Sequence, residues 1–330
     1  MKFKTLLTLT ATFIIGLGAL SACTTNSSKT TTKEDKKSYA FKAINVTYVK
    51  SPLNVPSMVE KDQKMFAKAY KPYGLDVTYS DLTTGPEQTQ ALVSGDVQFL
   101  NCVGSTSVIL AAANGADIKI ISAYNRSQEA YQLFGAKGTS IKSAADLKGK
   151  KVAGPKGTVL HELLLTYLAS ANLTEKDIDF VSMDIPSTQA ALLAGKIDAA
   201  LLAGPTAYTT EKEGYPIITT GKDLIDPVAL TATSTKFYNE NPELVKAFVK
   251  TQQEILEYMA NNYDETMAIS AKETGLELSA VESMYPMYDF DSTLKKSDVA
   301  SLKKTQDFML ENKMIDQKID IDKLFIYPVN

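Results

Sequence analysis

Histidine, arginine, cysteine and tryptophan are scarce in this chain of 330 residues: one His, one Arg among 35 basic residues, two Cys and no Trp. A single His excludes a His-rich metal site, since such centres draw on several imidazoles. With only Cys23 and Cys102 available, no disulfide framework can hold the molecule, so its stability has to come from a core. An excess of basic charge is missing as well. The balance of 35 basic and 38 acidic residues gives −3, and nothing resembling a nucleic-acid-binding surface is expected. The N-terminal apolar run, residues 6–20, is too short for a comfortable membrane span.

What is present begins with the stretch LGALSACTTNSSKTTT, which turns from apolar to polar at Cys23. Lys2 and Lys4 precede the apolar run and small residues follow it, the layout of an export signal. LSAC resembles the bacterial lipobox, in which the Cys becomes the lipidated first residue of the mature protein; a plain secretory signal with an incidental Cys is the other reading. Residues 1–22 are therefore read as the signal peptide, Cys23 as the lipid-bearing residue, and 23–38, rich in Thr, Ser and Lys, as a tether. Lipidated Cys23 leaves Cys102 without a partner, read as a small buried residue. A body of about 290 residues is long enough for two domains.

Along that body, apolar runs of strand length alternate with helical patterns. AINVTYV, a helix over 55–70, LDVTYS, a helix over 87–93, VQFLN, a helix over 105–113 and IKIISAY make one series. KKVAG, a helix over 158–169, IDFVSM, a helix over 187–193, IDAALL and a helix over 206–213 make a second. Each predicts an α/β lobe. The two series also match at an offset of 100 residues: Pro86, Ala91, Leu92, Gly95, Gly104 and Thr106 reappear as Pro186, Ala191, Leu192, Gly195, Gly204 and Thr206. Shared helix-strand grammar without a true repeat is the alternative explanation. In either case Pro opens a helix, Gly ends it, a short buried strand follows and a second Gly leads into another helix. Strand ends and helix N-termini thus share one edge in each lobe, where open α/β sheets hold ligands. Beyond residue 237 the pattern becomes helical, with Asn241 as cap, Pro242 as opener and a helix running to about residue 261. Further helices to about residue 311 are read as bracing.

Signal, lipobox, the segment TTGPEQTQALVSGDVQFLNCVGSTSVILAAANGADIKII, and SAADLKGKKVAGPKGT with IDAALLAGPTAY together resemble the solute-binding lipoproteins of ABC importers. The nearest branch receives aliphatic sulfonates, taurine, nitrate and thiamine-pyrimidine precursors. The resemblance implies a two-lobed α/β clamshell of the periplasmic-binding-protein type II, monomeric and free of cofactor and metal. It also implies a lipid anchor on the extracytoplasmic face of the membrane and delivery of one small solute to a permease. Lobe 1 is expected to hold 39–127 and 231–330 with the C-terminal helices, lobe 2 to hold 128–230, and hinges to fall near 126–130 and 226–232.

Helix N-termini carry free amides and partial positive charge, so such a cleft suits an anion, sulfonate first, or a carbonyl-rich solute. The candidates are Thr84 with Gly85, Ser105 with Thr106, Gly157 with Thr158, Ser187 with Thr188, and Gly204 with Thr206. Each hydroxyl also suits the capping of its own helix; as a set they are expected to contribute ligand contacts. Arg126 offers a planar fork for a sulfonate or carboxylate, or else is a solvated hinge residue. His161 stands one turn beyond Thr158, either at the ligand or on the helix surface. Tyr48, Tyr124 and Tyr208 are candidate walls of the cleft.

A thiamine-precursor pyrimidine or another small heterocycle is the alternative solute. Two other classes compete. A hydrolase would use Ser105 or Ser107 with His161, but these fall in different lobes and no G-x-S-x-G elbow occurs. A surface adhesin would have no need of two facing lobes.

Overall fold

The computed structural model describes residues 38–49 and 53–329; Cys23, the segment read as signal and all of the tether but Ser38 lie outside the described residues. In chain order the first lobe contains β1 (Ala43–Tyr48), α1 (Val55–Gln63), α2 (Met65–Tyr70), β2 (Asp76–Asp81), α3 (Gly85–Ser94), β3 (Leu100–Gly104), α4 (Ser105–Ala113) and β4 (Lys119–Arg126). The chain then crosses into the second lobe with β5 (Tyr131–Gly135), β6 (Lys151–Gly154), α5 (Val159–Ala169), β7 (Asp179–Ser182), α6 (Ile185–Leu193), β8 (Ala199–Ala203), α7 (Gly204–Lys212) and β9 (Ile217–Thr220). It returns as β10 (Val228–Thr233) and continues through α8 (Thr235–Glu240), α9 (Pro242–Asn261), α10 (Tyr263–Thr274), α11 (Leu278–Met284) and α12 (Lys296–Glu311).

The second lobe's sheet has the order β7-β6-β8-β5-β9, with β5 antiparallel to both neighbours. In the first lobe, β2 and β1 pair in parallel, a parallel bridge from Val46 to Phe99 joins β1 to the segment leading into β3, and β10 runs antiparallel between β3 and β4. Read across, the first lobe follows the order β2-β1-β3-β10-β4, the same plan as the second. In each lobe the antiparallel fourth strand is the one reached by crossing from the other lobe.

The 100-residue offset is therefore structural as well as sequential. α3 and α6 both begin with Pro in the first turn, and past their ends Gly95 and Gly195 adopt φ of +85° and +65°. Their N–H groups donate to Leu92 O at 3.1 Å and Leu192 O at 3.0 Å, tying off the last turns. Residues 91–100 and 191–200 follow the same order of buried and exposed positions.

Two apolar clusters flank the first sheet. One joins β1, α1 and α2 to α9 through Phe66, Phe99 and Phe248, with ring centroids 4.2 and 4.1 Å apart. The other packs α4 and β10 against α12. A third cluster forms the core of the second lobe around α5 and β8. The C-terminal helices thus brace the first lobe.

Two local expectations need correction. The helix expected over 55–70 breaks at Lys64, which sits at φ +54°, because the buried Glu60 carboxylate accepts from Phe66 N at 3.0 Å and from Tyr79 Oη at 2.8 Å and so caps a new helix start. Asn241 precedes α9 without capping it, and its Nδ2 donates backward to Phe237 O at 3.4 Å.

Burial pushes the Glu60 carboxyl up to about 7, against the pull of its bonds to Tyr79 and Phe66. A carboxyl whose pKa rises on folding stabilises the fold below its unfolded pKa, and this contribution is lost as pH climbs through the folded value. Between about pH 4.5 and 7, wild type should lose about 3 kcal/mol relative to Glu60→Gln. Urea unfolding of both proteins across that window checks it, and parallel curves would contradict it.

Candidate functional site

Between the lobes lies a cavity of about 70 Å³ lined by Val49, Thr83, Thr84, Gly85, Gln88, Cys102, Gly104, Ser107, Tyr131, Pro155, Thr158, Val159, Leu160 and Ile185. The first turns of α3 and α4 reach it from the first lobe and that of α5 from the second. Thr84 is the N-cap of α3 in a reciprocal capping box with Glu87, which fixes the start of the helix at the cavity wall. Thr158 is the N-cap of α5, and its hydroxyl donates to Pro155 O at 2.7 Å.

No lining residue carries a charge. The local field comes instead from the helix N-termini, whose unpaired amides and dipoles favour negative charge or carbonyl-like oxygen. Val49, Pro155, Val159, Leu160 and Ile185 provide an apolar wall, with the Tyr131 ring beside them. Next to the lining, the buried Ser105 Oγ at the start of α4 has no hydrogen-bond partner among the described residues. Leaving such a donor unpaired costs about 1–3 kcal/mol.

The two lobes touch around this cavity. Ser107 Oγ, in the first lobe, donates to Gly157 O of the second at 2.8 Å. A Cβ added at Gly104 would stand 3.1 Å from Val159 Cγ2, and one at Gly85 would stand 2.2 Å from Ser107 Oγ. Glycine at 85 and 104 lets the helix starts approach this closely, and the arrangement is a closed cleft.

Of the residues expected from sequence, Thr84 and Thr158 meet at the cavity, with Gly85 beside them. The others do not. Thr106 donates its hydroxyl to Glu162 Oε2 at 2.6 Å. Ser187 is exposed and its N–H is taken by the N-cap Asp184 at 2.7 Å, while Thr206 Oγ1 donates to Ala203 O at 2.9 Å. The wall candidates are also engaged elsewhere: Tyr48 Oη donates to Glu273 at 2.7 Å, Tyr124 Oη pairs with Ser57 Oγ at 2.7 Å, and Tyr208 packs against the first lobe's core.

Arg126 is not brought to this cavity; it lines a separate groove over the crossing segments. Its Nε donates to Asp298 Oδ1 at 2.7 Å, Nη2 to Asp298 Oδ2 at 2.5 Å, and Nη1 and Nη2 to the carbonyls of Asp291 and Thr293, both at 2.9 Å. Burial disfavours the guanidinium, but the Asp298 bonds together with Asp289 and Asp291 outweigh that and raise its pKa. The fork expected to grip a ligand instead ties the end of β4 to the first turn of α12. His161 is likewise buried away from the cavity, between Glu175 Oε2 at 2.5 Å and the Phe180 ring, and Gly157 N donates to its Nδ1 at 3.4 Å. Burial lowers its pKa against the opposing pull of Glu175. With His161 so placed, no Ser–His pair forms with Ser105 or Ser107.

Sequence reasoning missed Gln88, Tyr131 and the cavity role of Ser107 and Cys102. Cys102 adopts φ +74° where β3 slips register against β10 between Leu230 and Thr231, a bulge that turns its side chain into the cleft. Its thiol donates to Asn54 Oδ1 at 3.1 Å, and burial pushes its pKa well up, so it is no ready nucleophile. Tyr131 opens β5 just past the crossing, a place the alternating pattern does not mark. The motif that does point there is the pair of Gly-led helix starts.

These features define a class: a two-lobed periplasmic-binding-protein fold with a cleft built on helix N-termini. The fold matches the alkanesulfonate-binding protein SsuA from Xanthomonas axonopodis pv. citri bound to MOPS with a TM-score of 0.78 at 19% identity, covering 87% of this chain and 99% of that one. In sequence the chain is 26% identical over 290 residues to an Escherichia coli (strain K12) protein named for binding aliphatic sulfonates, covering 87% of this chain and 89% of the relative. It is 28% identical over 228 residues to the taurine-binding periplasmic protein of the same strain, covering 68% and 69%. The NMT1/THI5-like family matches residues 39–266, and the chain belongs to that family.

The Arg126 geometry has a measurable consequence. Asp298 is 1% exposed, so Arg126→Ala leaves a buried carboxylate without its partner and should cost about 3–5 kcal/mol in urea unfolding. Arg126→Lys keeps the charge, loses the fork and should fall between. A loss below about 1 kcal/mol for Arg126→Ala would mean the bridge is no brace.

Proposed function

We propose that the protein is an extracytoplasmic receptor that captures a small oxyanion-bearing organic solute, an aliphatic sulfonate first, between its lobes and delivers it to an ABC permease. The observation that carries this is the uncharged cavity on which helix N-termini from both lobes converge, with an apolar wall beside them. An alkanesulfonate matches both halves. Its oxygens accept from first-turn amides and from the Thr84 hydroxyl, and from Ser107 and Thr158 when their protons turn away from Gly157 O and Pro155 O, and its alkyl part rests on Val159 and Ile185. The relatives named for sulfonates and taurine support the same chemistry. No carboxylate lines the cavity to receive an ammonium, which favours a sulfonate without an amine over taurine. The same lack of charge, with Gln88 and Tyr131 in the wall, favours a neutral pyrimidine as the second reading.

In this reading Cys23 carries the lipid that holds the receptor to the membrane, and residues 24–38 give it reach. The lobes open to admit the solute and close to the contact described here, giving the permease a closed state to recognise. The protein performs no chemistry on its solute.

A thermal-shift comparison of ethanesulfonate, taurine, nitrate and a hydroxymethyl-pyrimidine tests the reading, because a ligand that binds only the folded state raises the melting temperature. Ethanesulfonate should give the largest rise, and Ser107→Ala or Thr158→Val should weaken it by about 5- to 100-fold. A rise with the pyrimidine alone would establish the second reading, and no rise with any of them would overturn both. Cys23→Ser should release the protein from the membrane fraction with its affinity intact; retention would contradict the anchor.

A further inference from the structure

Glu162 is a buried carboxylate that does not line the cavity. It lies in the first turn of α5, the second-lobe helix whose start lines the cavity. Its oxygens are held from the first lobe and its bracing helix: Thr106 Oγ1 of α4 donates to Oε2 at 2.6 Å and Thr305 Oγ1 of α12 to Oε1 at 2.9 Å. No Lys, Arg or His forms a salt bridge with it among the described residues. The charged side chains acting on it from around α12 are Lys304 and Asp226, and these two are paired with each other at 2.7 Å. The buried Tyr131 of β5 is close enough to feel it, and α4 carries no charged residue. His161 on its own helix is engaged by Glu175, with Lys156 beyond it.

This placement has two effects. The carboxylate pins the starts of α4 and α5 together, setting the width of the cavity between them. If ionised, it also puts a negative charge in the first turn of the helix that would face a bound anion, using up part of the same dipole. Opening the lobes would return the carboxylate to water and remove both constraints. We propose that Glu162 is a positioning residue that couples closure of the lobes on an anion to the uptake of one proton. The proton passes from solvent to a Glu162 oxygen. The acid then donates to one threonine hydroxyl, which turns to accept, while the other threonine still donates. Burial, set against the two threonine bonds, raises the pKa of this group in the closed form, in the direction the coupling needs.

The inference rests on the receptor reading of the cleft, and its test separates the two. Calorimetric titration with ethanesulfonate between pH 5 and 8 should show affinity rising as pH falls, by up to about tenfold per unit. In phosphate and in Tris buffer the heats should differ by the buffer's ionisation heat, recording the proton taken up. Glu162→Gln should bind at every pH as tightly as wild type does at low pH, with no buffer dependence. Thr106→Val removes a bond that favours the ionised form, so its pH midpoint should move upward; it carries the test should Glu162→Gln fail to fold. Equal slopes and equal buffer dependence in wild type and Glu162→Gln would overturn the coupling. If ethanesulfonate binds neither protein, the receptor reading falls and stability decides Glu162. Wild type should then lose stability relative to Glu162→Gln as pH rises from 5 to 8, and parallel curves would overturn the raised carboxyl itself.

Discussion

β5 and β10 run antiparallel to the strands on either side of them because the chain enters each sheet by crossing from the other lobe. That crossing is the constraint on which the cleft depends. It gives both lobes the same strand order and places the helix-bearing edge of one sheet opposite that of the other. Loops after parallel strands then lead into helices whose N-termini converge from two sides on one small volume. The Arg126 bridge to Asp298 stands at the end of β4, where the crossing begins, and fixes it to α12. A separate groove lies over this hinge, and the Arg126 and Asp298 side chains in it are spent on the brace.

The site's electrostatics follow from where the charges are kept. Arg126, Asp298, Glu162 and His161 are all near the cleft in sequence or in space, yet none lines the cavity. An anion placed there would be met by neutral donors, which hold negative charge without the desolvation that burying a Lys or Arg would require. The cost appears as close packing and unpaired groups: glycines at 85 and 104, the left-handed Cys102 and the unpaired Ser105 hydroxyl. Backbone strain and unsatisfied donors of this kind persist where the surrounding structure holds them, and they gather at functional sites.

Much of the fold was legible in the sequence because its signals are local. The alternation of strand and helix patterns marked α4 to the residue, Pro242 and helical spacing marked α9, and Pro and Gly at a fixed offset marked the matching units around α3 and α6. The resemblance to solute-binding proteins led to the same architecture. The break at Lys64 was not legible, since it depends on the buried Glu60 meeting Phe66 and Tyr79 from outside the helix pattern. The site was legible only in kind. Helix starts were the right feature, and Thr84 and Thr158 the right residues, but a hydroxyl at a helix start does not reveal whether it faces the cleft or its own turn. Arg126 was singled out for its rarity, and rarity does not show which carboxylate it meets. Ser107 and Tyr131 reach the cavity through lobe packing, which no local pattern encodes.

The central claim is that one solute engages helix N-termini of both lobes at once. Amide chemical shifts of the isotope-labelled protein, recorded while ethanesulfonate is added, test it most directly. The account predicts saturable shifts at Gly85 and Ser105 in the first lobe and at Val159 and Leu160 in the second, all with one dissociation constant. Shifts confined to one lobe, or centred on the hinge groove around Arg126, would contradict it.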